Sequence, residues 1–113
     1  MKDALVLAVH TQADDWVLDS GASFHTTSHQ EIMTNYVALD FGKVYLANGE
    51  SLNIMGLGDV RIKQPNGFVW ILQKVRHISK LKKNFISDKS QIYIRFNHIY
   101  FVFCVVYHLF WTF

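Results

Sequence analysis

Short apolar runs separated by turn-forming residues constrain the fold of this chain more than any other feature. Asn48-Gly49 stands between residues 43–47 and 51–55, and residues 64–67 (Gln-Pro-Asn-Gly) form a second break between apolar runs. Because Asn and Gly tolerate a positive φ angle, Asn-Gly between two such runs is a strong hairpin signal. With no long amphipathic pattern beside them, these runs predict an all-β fold, either a small barrel or a sandwich.

Other short segments are assigned by composition. Residues 16–18 (Trp-Val-Leu) are predicted to form a short buried strand. Residues 23–36 are rich in Thr, Ser and His, which indicates a polar loop with one helical turn near residues 30–33. Gly56-Leu57-Gly58 is interpreted as a flexible hinge or a bulge.

Residues 88–113 depart from this pattern, because aromatic and β-branched residues dominate from residue 92 onward without Gly or Pro. A transmembrane helix needs about 20 apolar residues, whereas only 99–113 are cleanly apolar and His108 interrupts them. A pair of core strands is a second interpretation, but the segment lacks a turn signal. The third interpretation, which we favour, is that this sequence was never selected to fold. We therefore predict an N-terminal lead-in (1–13), an incomplete barrel domain (14–87) and a hydrophobic tail outside that domain (88–113).

Composition limits the classes of function. The 113 residues are 50% hydrophobic and 18% charged, which suits one small globular domain. A net charge of +2 is too small to argue for nucleic acid or a membrane surface as a partner. The single cysteine, Cys104, excludes an internal disulfide framework and a multi-cysteine zinc site.

The segment Asp19-Ser20-Gly21-Ala22 is the main candidate for chemistry. An apolar run delivers one carboxylate onto a turn of small residues, as required for half of an aspartic protease dyad. Ser20 could orient the carboxylate, and Gly21 permits close backbone approach. The motif occurs once, so two chains would have to share such a site. Asp-Ser-Gly by itself is also an ordinary turn.

Other candidate residues show less specific patterns. His25 and His29 have i,i+4 spacing, but poor helix formers separate them, so we predict a polar loop and no metal site. Asp14 and Asp15 are predicted to be solvated. A solvated basic edge, and no specific nucleic-acid site, is predicted for Lys74, Arg76, Lys80, Lys82 and Lys83.

With these residues in view, segment 16–27 resembles the start of the protease in Pol polyproteins of Copia-type LTR retrotransposons, the plant TNT-type elements in particular. The similarity continues through residues 44–49, 54–60 and 72–78, and it ends at 81–87. Because the motifs follow one another in order along most of the predicted barrel, the resemblance is specific.

The resemblance implies a retropepsin-like β-barrel that acts as a homodimer and cleaves a polypeptide, the element's own polyprotein. It makes Asp19 the catalytic carboxylate and Ser20-Gly21 its supporting turn. A flap-like hairpin over the substrate would include Asn48, Gly49, Gly56 and Gly58. It further implies an intracellular location in a virus-like particle, without a cofactor, a metal, a specific nucleic acid or a membrane.

We therefore expect an aspartic-type endopeptidase region of a retrotransposon polyprotein. Family members continue differently after the position of Ser87, so we expect this copy to be a degenerate fragment that is inactive by itself. Two alternatives remain open, a non-enzymatic β-barrel remnant and a tail-anchored membrane protein.

Overall fold

Eleven short strands and a 3-10 turn that precedes β4 lie within the described residues, which are 11–12, 15–38, 40 and 42–104 of this computed structural model. The 3-10 turn is Gln30–Ile32. The strands are β1 (Thr11–Gln12), β2 (Trp16–Asp19), β3 (Thr26–Thr27), β4 (Met33–Ala38), β5 (Lys43–Tyr45), β6 (Ser51–Asn53), β7 (Gly56–Lys63), β8 (Val69–His77), β9 (Asn84–Ser87), β10 (Gln91–Phe96) and β11 (Ile99–Cys104).

Nine of these strands belong to one sheet. Its main path runs β1-β7-β8-β3-β9-β2, while β4 joins at β7, and β10 pairs with both β8 and β11. Strands β5 and β6 form a separate hairpin. The described chain contains no helix long and apolar enough to cross a membrane. This architecture confirms the predicted all-β fold class, a small β-barrel.

The core is built from inward residues of the two longest strands. In β7 burial alternates, and Val60 and Ile62 are fully buried, because successive side chains of a strand point to opposite faces. In β8, Leu72 and Val75 are fully buried at a spacing of three, because the bulge at Lys74 interrupts the alternation. The main cluster has nine buried members: Trp16, Met33, Val60, Ile62, Leu72, Val75, Ile86, Ile92 and Ile94.

Two hairpin turns share one geometry. The amide of Gly49 donates to the carbonyl oxygen of Leu46 at 2.9 Å, and Gly67 donates to Gln64 at 3.1 Å. Both glycines have a positive φ, 86° and 92°. This is the three-residue loop in which a type I turn is followed by a left-handed residue. The predicted hairpins are confirmed, and in each Asn-Gly pair only the glycine uses the left-handed region.

Of the two alternatives predicted for Gly56–Gly58, the hinge is wrong, and bulges are found in the strands that pair with this segment. These residues begin β7 and pair on both sides, with β4 and with β8. The register shifts occur opposite Gly58 in the pairing with β4 and opposite Asp59 in the pairing with β8. The extra residues belong to the neighbouring strands, where Asn35 and Lys74 have φ angles of 55° and 56°. Bulges of this kind bend a strand without interrupting the sheet.

The N-terminal part of the barrel also differs from expectation. Trp16 is buried as predicted, but Val17 and Leu18 are 40% and 52% exposed. The reason is that β2 is the last strand of the sheet path among the described residues and pairs only with β9. The predicted helical turn is confirmed as the 3-10 turn, whereas the predicted polar loop before it contains the buried strand β3.

The segment after Ser87 is not separate from the barrel in the structure. Strand β10 pairs with β8, and its Ile92 and Ile94 lie in the main core, 0% and 5% exposed. A two-residue turn joins β10 to β11, with Asn97 at a φ of 58°. Residues 91–96 therefore belong to the core through long-range contacts with β8 that composition does not reveal, while the interpretation of the tail as unselected sequence stays a prediction. Residues 105–113 lie outside the described part.

Replacing Ile92 by alanine tests whether β10 belongs to the core. We expect Ile92→Ala to lower the free energy of unfolding by about 2–5 kcal/mol, because it leaves a cavity in a close-packed interior. Ile99→Ala is the matched control, since Ile99 is 58% exposed and should change stability by less than about 0.5 kcal/mol. Urea titration measures both, and equal small effects would contradict the placement of β10.

Candidate functional site

Asp19 lies at the end of β2, where the chain turns sharply. Its Oδ1 accepts a hydrogen bond from the amide of Gly21 at 2.8 Å, and its carbonyl oxygen accepts one from Ala22 at 3.2 Å. The side chain is half-buried. A Cβ on residue 21 would lie 3.2 Å from that carboxylate oxygen. The glycine therefore allows the backbone to close against the carboxylate.

The Asp19 turn forms one wall of a cleft of about 570 Å³. Strand β5 and the residues that follow it form the opposite wall, where Tyr45 is 75% exposed. The cleft is lined by Asp19, Gly21, Ala22, Ser23, Phe24, Thr26, Lys43, Val44, Tyr45, Leu46, Ala47, Ile78, Leu81 and Phe85. The carboxylate thus shares one cleft with mainly apolar side chains.

A second, smaller apolar cluster supports this cleft. Its buried members are Leu52, Ile54 and Ile78. The half-buried side chains that pack against it are Phe24, Val44, Leu46 and Leu81, all of which also line the cleft. The amide of Met55 donates to the carbonyl oxygen of His77 at 2.7 Å. These contacts hold the β5–β6 hairpin beside the barrel, and the cleft lies between them.

Two polar side chains modify the apolar wall. Thr26 is 6% exposed, and its Oγ1 makes no hydrogen bond within the described part of the chain. Arg76 places its guanidinium 4.3 Å from the centre of the Phe24 ring, a cation–π contact. Burial lowers the pKa of Arg76. The cleft therefore combines an apolar wall with a cation-braced aromatic ring.

His25 is buried just behind the Asp19 turn, 1% exposed. Its Nδ1 accepts a hydrogen bond from the amide of Ser87 at 3.0 Å, and its Nε2 lies 3.4 Å from the carbonyl oxygen of Gln91. Desolvation lowers the pKa of His25, and the positive charge of Arg76 acts in the same direction, whereas the Gln91 hydrogen bond opposes it. These contacts fit a neutral ring with its proton on Nε2.

Side chains from β9 attach both ends of β2. At the end of β2, the Ser87 hydroxyl donates to the carbonyl oxygen of Ala22 at 2.7 Å and accepts from the amide of Lys89 at 3.1 Å. At its beginning, the Asn84 amide group donates to the carbonyl oxygen of Asp15 at 3.1 Å. The position of Asp19 is thus set by β9 as well as by the turn itself.

The predicted site residues do not all meet at the cleft. Asp19 and Gly21 line it, and Ser20 is exposed beside them. Asn48 and Gly49 form the tip of the β5–β6 hairpin, beyond the lining residues. Gly56 and Gly58 lie in β7, where the space that a Cβ would occupy is taken by Tyr36 and Met33, respectively. These two glycines serve close packing inside the barrel.

The remaining candidates lie elsewhere. The Nδ1 of His29 is 3.1 Å from Glu31 on the exposed surface. Asp15, Lys82 and Lys83 border a groove of about 520 Å³ that also includes Glu31, so charges of both signs meet there. Within the described ranges, no three His, Cys, Asp or Glu side chains are grouped to hold a metal. Asp14 lies outside the described residues.

Sequence reasoning missed the residues that hold the turn. The local sequence predicts a polar loop at His25, and Ser87 only ends the segment 81–87 that resembles the Pol family. The two residues are 62 positions apart in the chain, so their hydrogen bond leaves no local signal. Thr26 and Phe85 were missed for the same reason, since β3 and β9 pair only in the folded chain.

Comparison with known proteins gives matches over the segment that contains the Asp19 turn. Residues 16–92 match the family described as Pol polyprotein, beta-barrel domain. The retrovirus-related Pol polyprotein from transposon TNT 1-94 of Nicotiana tabacum is 41% identical over 73 residues, which is 65% of this chain and 6% of that polyprotein. The chain therefore spans a small fraction of this relative's length. No solved structure matches it. The predicted resemblance to Copia-type Pol polyproteins is confirmed.

The buried His25 should make stability depend on pH. Because its pKa in the folded chain lies below 6.5, the unfolded chain binds this proton at higher pH than the folded chain. The free energy of unfolding should therefore fall as pH is lowered through 6.5 toward the folded pKa. In His25→Asn this contribution should be absent, while the other histidines remain. Urea titrations between about pH 5 and 8 measure both slopes, and identical slopes would contradict the assignment.

Proposed function

Since the chain belongs to the Pol polyprotein β-barrel domain family, we propose that this retrotransposon Pol region is an aspartic-type endopeptidase. One observation carries the proposal. A half-buried carboxylate, Asp19, is held at the end of a strand by a backbone amide and lines a largely apolar cleft. Clefts of this kind, with few polar groups on an apolar wall, are typical of binding sites.

The proposed chemistry needs two copies of Asp19. Two carboxylates that approach closely cannot both ionise comfortably, so the pair shares one proton. The ionised member takes a proton from water, whose oxygen attacks the peptide carbonyl carbon, while the protonated member donates to the carbonyl oxygen. Breakage of the C–N bond and protonation of the amine complete hydrolysis. The scheme uses no metal or cofactor, and one chain alone would be inactive.

The surface around Asp19 suits a second copy of the chain. Val17 and Leu18, which precede the carboxylate, are 40% and 52% exposed although both are apolar. Strand β2 has no second neighbour among the described residues. Exposed apolar side chains beside an open strand edge are typical of surfaces that another chain covers. We therefore propose a homodimer in which the two Asp19 turns meet at a two-fold axis.

The proposed substrate is an extended polypeptide, the polyprotein of the element itself. The cleft between β5 and the Asp19 turn offers apolar walls for its side chains. The β5–β6 hairpin, with Asn48 and Gly49 at its tip, would act as the flap over the bound chain. An intracellular location in a virus-like particle belongs to this proposal, and nucleic acid or a membrane has no part in it.

Cleavage of an unfolded polypeptide at mildly acidic pH tests the proposal. Although one chain alone would be inactive, a dimer that completes the dyad should cleave, with a rate that rises faster than linearly with the concentration of the parent protein. Asp19→Asn should lower the rate by at least about 100-fold, since an amide cannot exchange the proton. Its amide oxygen can still accept the bond from Gly21, so the turn should be retained.

Asp40→Asn is the matched control. Asp40 is exposed, and its Oδ1 accepts a hydrogen bond from the amide two residues later, Gly42, at 3.0 Å, as Asp19 does from Gly21. This variant should cleave like the parent. Equal cleavage by Asp19→Asn and the parent would refute the proposal. Well-folded protein that neither dimerises nor cleaves would instead favour the non-enzymatic β-barrel remnant.

A further inference from the structure

The Asp19 turn has few restraints of its own. Ser20 and Gly21 are exposed, and within the described part of the chain β2 pairs only with β9. Catalytic groups must be held within about 0.5 Å of their working geometry by surrounding contacts. The bonds inside the turn, from Gly21 and Ala22 back to Asp19, shape it locally, and the pairing of β2 with β9 places Asp19 beside Ser87. A second connection to the barrel comes from other hydrogen bonds.

Three hydrogen bonds provide that connection through Ser87. Its hydroxyl donates to Ala22 at 2.7 Å and accepts from Lys89 at 3.1 Å, and its amide donates to His25 Nδ1 at 3.0 Å. The other ring nitrogen of His25 faces the Gln91 carbonyl oxygen at 3.4 Å. The ring therefore joins the end of β9 to the beginning of β10, immediately behind the Asp19 turn. We name this set, His25, Ser87, Lys89 and Gln91, the turn clamp.

We propose that His25, in its neutral form, is a positioning residue that fixes Asp19 through Ser87. This inference rests on the proposed function for its catalytic meaning, but the mechanical link stands on the hydrogen bonds alone. His25 lines no part of the cleft, so it acts through another residue and does not contact substrate.

The neutral ring is required by its neighbours. Nδ1 must accept from the amide of Ser87, and an imidazolium would present a second N–H group to that donor. Gln91 and Ser87, which contact the ring from β10 and β9, are uncharged. On the β8 side, Arg76 is positive and opposes a second positive charge. Protonation should therefore break the Ser87 bond and loosen the turn.

Loosening of this kind would limit cleavage on the acidic side. The dyad needs one proton, which favours mildly acidic conditions, while the turn clamp needs His25 without its second proton. The two requirements act on different groups, so a substitution in the clamp should change the acidic limb of the pH profile separately from the dyad.

Nuclear magnetic resonance of the full chain can test the link without any cleavage. We would use the Asp19→Asn background, because it replaces the ionisable carboxylate that contacts the Gly21 amide with a neutral amide. As pH is lowered, the amide signals of Gly21 and Ala22 should shift with the same midpoint as the His25 ring. The amide of Gly49, at the hairpin tip, is the internal control and should not follow that midpoint.

Two variants separate the steps of the link. In Ser87→Ala the His25 ring should still titrate, but the signals of Gly21 and Ala22 should no longer follow it. In His25→Asn, whose side-chain oxygen can still accept from the Ser87 amide, that transition should disappear. The inference would be overturned if the Gly21 and Ala22 signals did not shift with the His25 midpoint in the Asp19→Asn protein. It would also be overturned if they followed that midpoint equally well after Ser87→Ala was added.

Kinetics give an independent outcome. If Asp19 in the unmodified background supports cleavage, Ser87→Ala should lower kcat by about 10- to 100-fold with little change in KM, since small misplacements of a catalytic group are costly. Cleavage that is lost in Asp19→Asn but unchanged in Ser87→Ala would overturn the positioning role and leave the proposed function intact. Absence of cleavage in every variant would overturn the proposed function, and the resonance data would still decide the link.

Discussion

Antiparallel pairing of β7 with β8 is the interaction to which the other strands attach. The pair runs from Gly56 opposite His77 to Lys63 opposite Val69, and its inward side chains are buried. Strands β1 and β4 add to β7, while β3 and β10 add to β8. Burial of about 1.5–3 kcal/mol for each large apolar side chain makes this ribbon the main source of stability. The barrel and both of its apolar clusters follow from that arrangement.

The cleft exists because β5 and β6 lie outside the nine-stranded sheet. Residues of β5 and β6 pair only with each other, and a separate small cluster holds their hairpin against the barrel. A space remains between the hairpin and the turn after β2, and Asp19 lies at its border. Two independent parts of the fold therefore define the site. The small cluster holds the wall opposite Asp19, and the contacts of Ser87 hold the turn that carries Asp19.

The segment that matches the family extends into β10, which is also part of the barrel. The family match ends at residue 92, inside β10, and so includes Lys89 and Gln91. Both residues follow Ser87, where the motifs that resemble Copia-type Pol polyproteins end. The hydrophobic character of β10 has a structural reason, because Ile92 and Ile94 are buried in the main core. Composition alone could not distinguish such strands from an unselected or membrane-directed tail.

The sequence by itself determined the all-β class, both Asn-Gly hairpins and the turn that presents Asp19, since each depends on residues within a few positions of one another. Only the tertiary structure decided what the other residues do. Gly56 and Gly58 carry the same local signal as a hinge, yet Tyr36 and Met33 pack where their side chains would be. His25 resembles any loop histidine until β9 and β10 bring Ser87 and Gln91 to its ring. Contacts between distant segments depend on burial and strand pairing, which arise only when the whole chain folds.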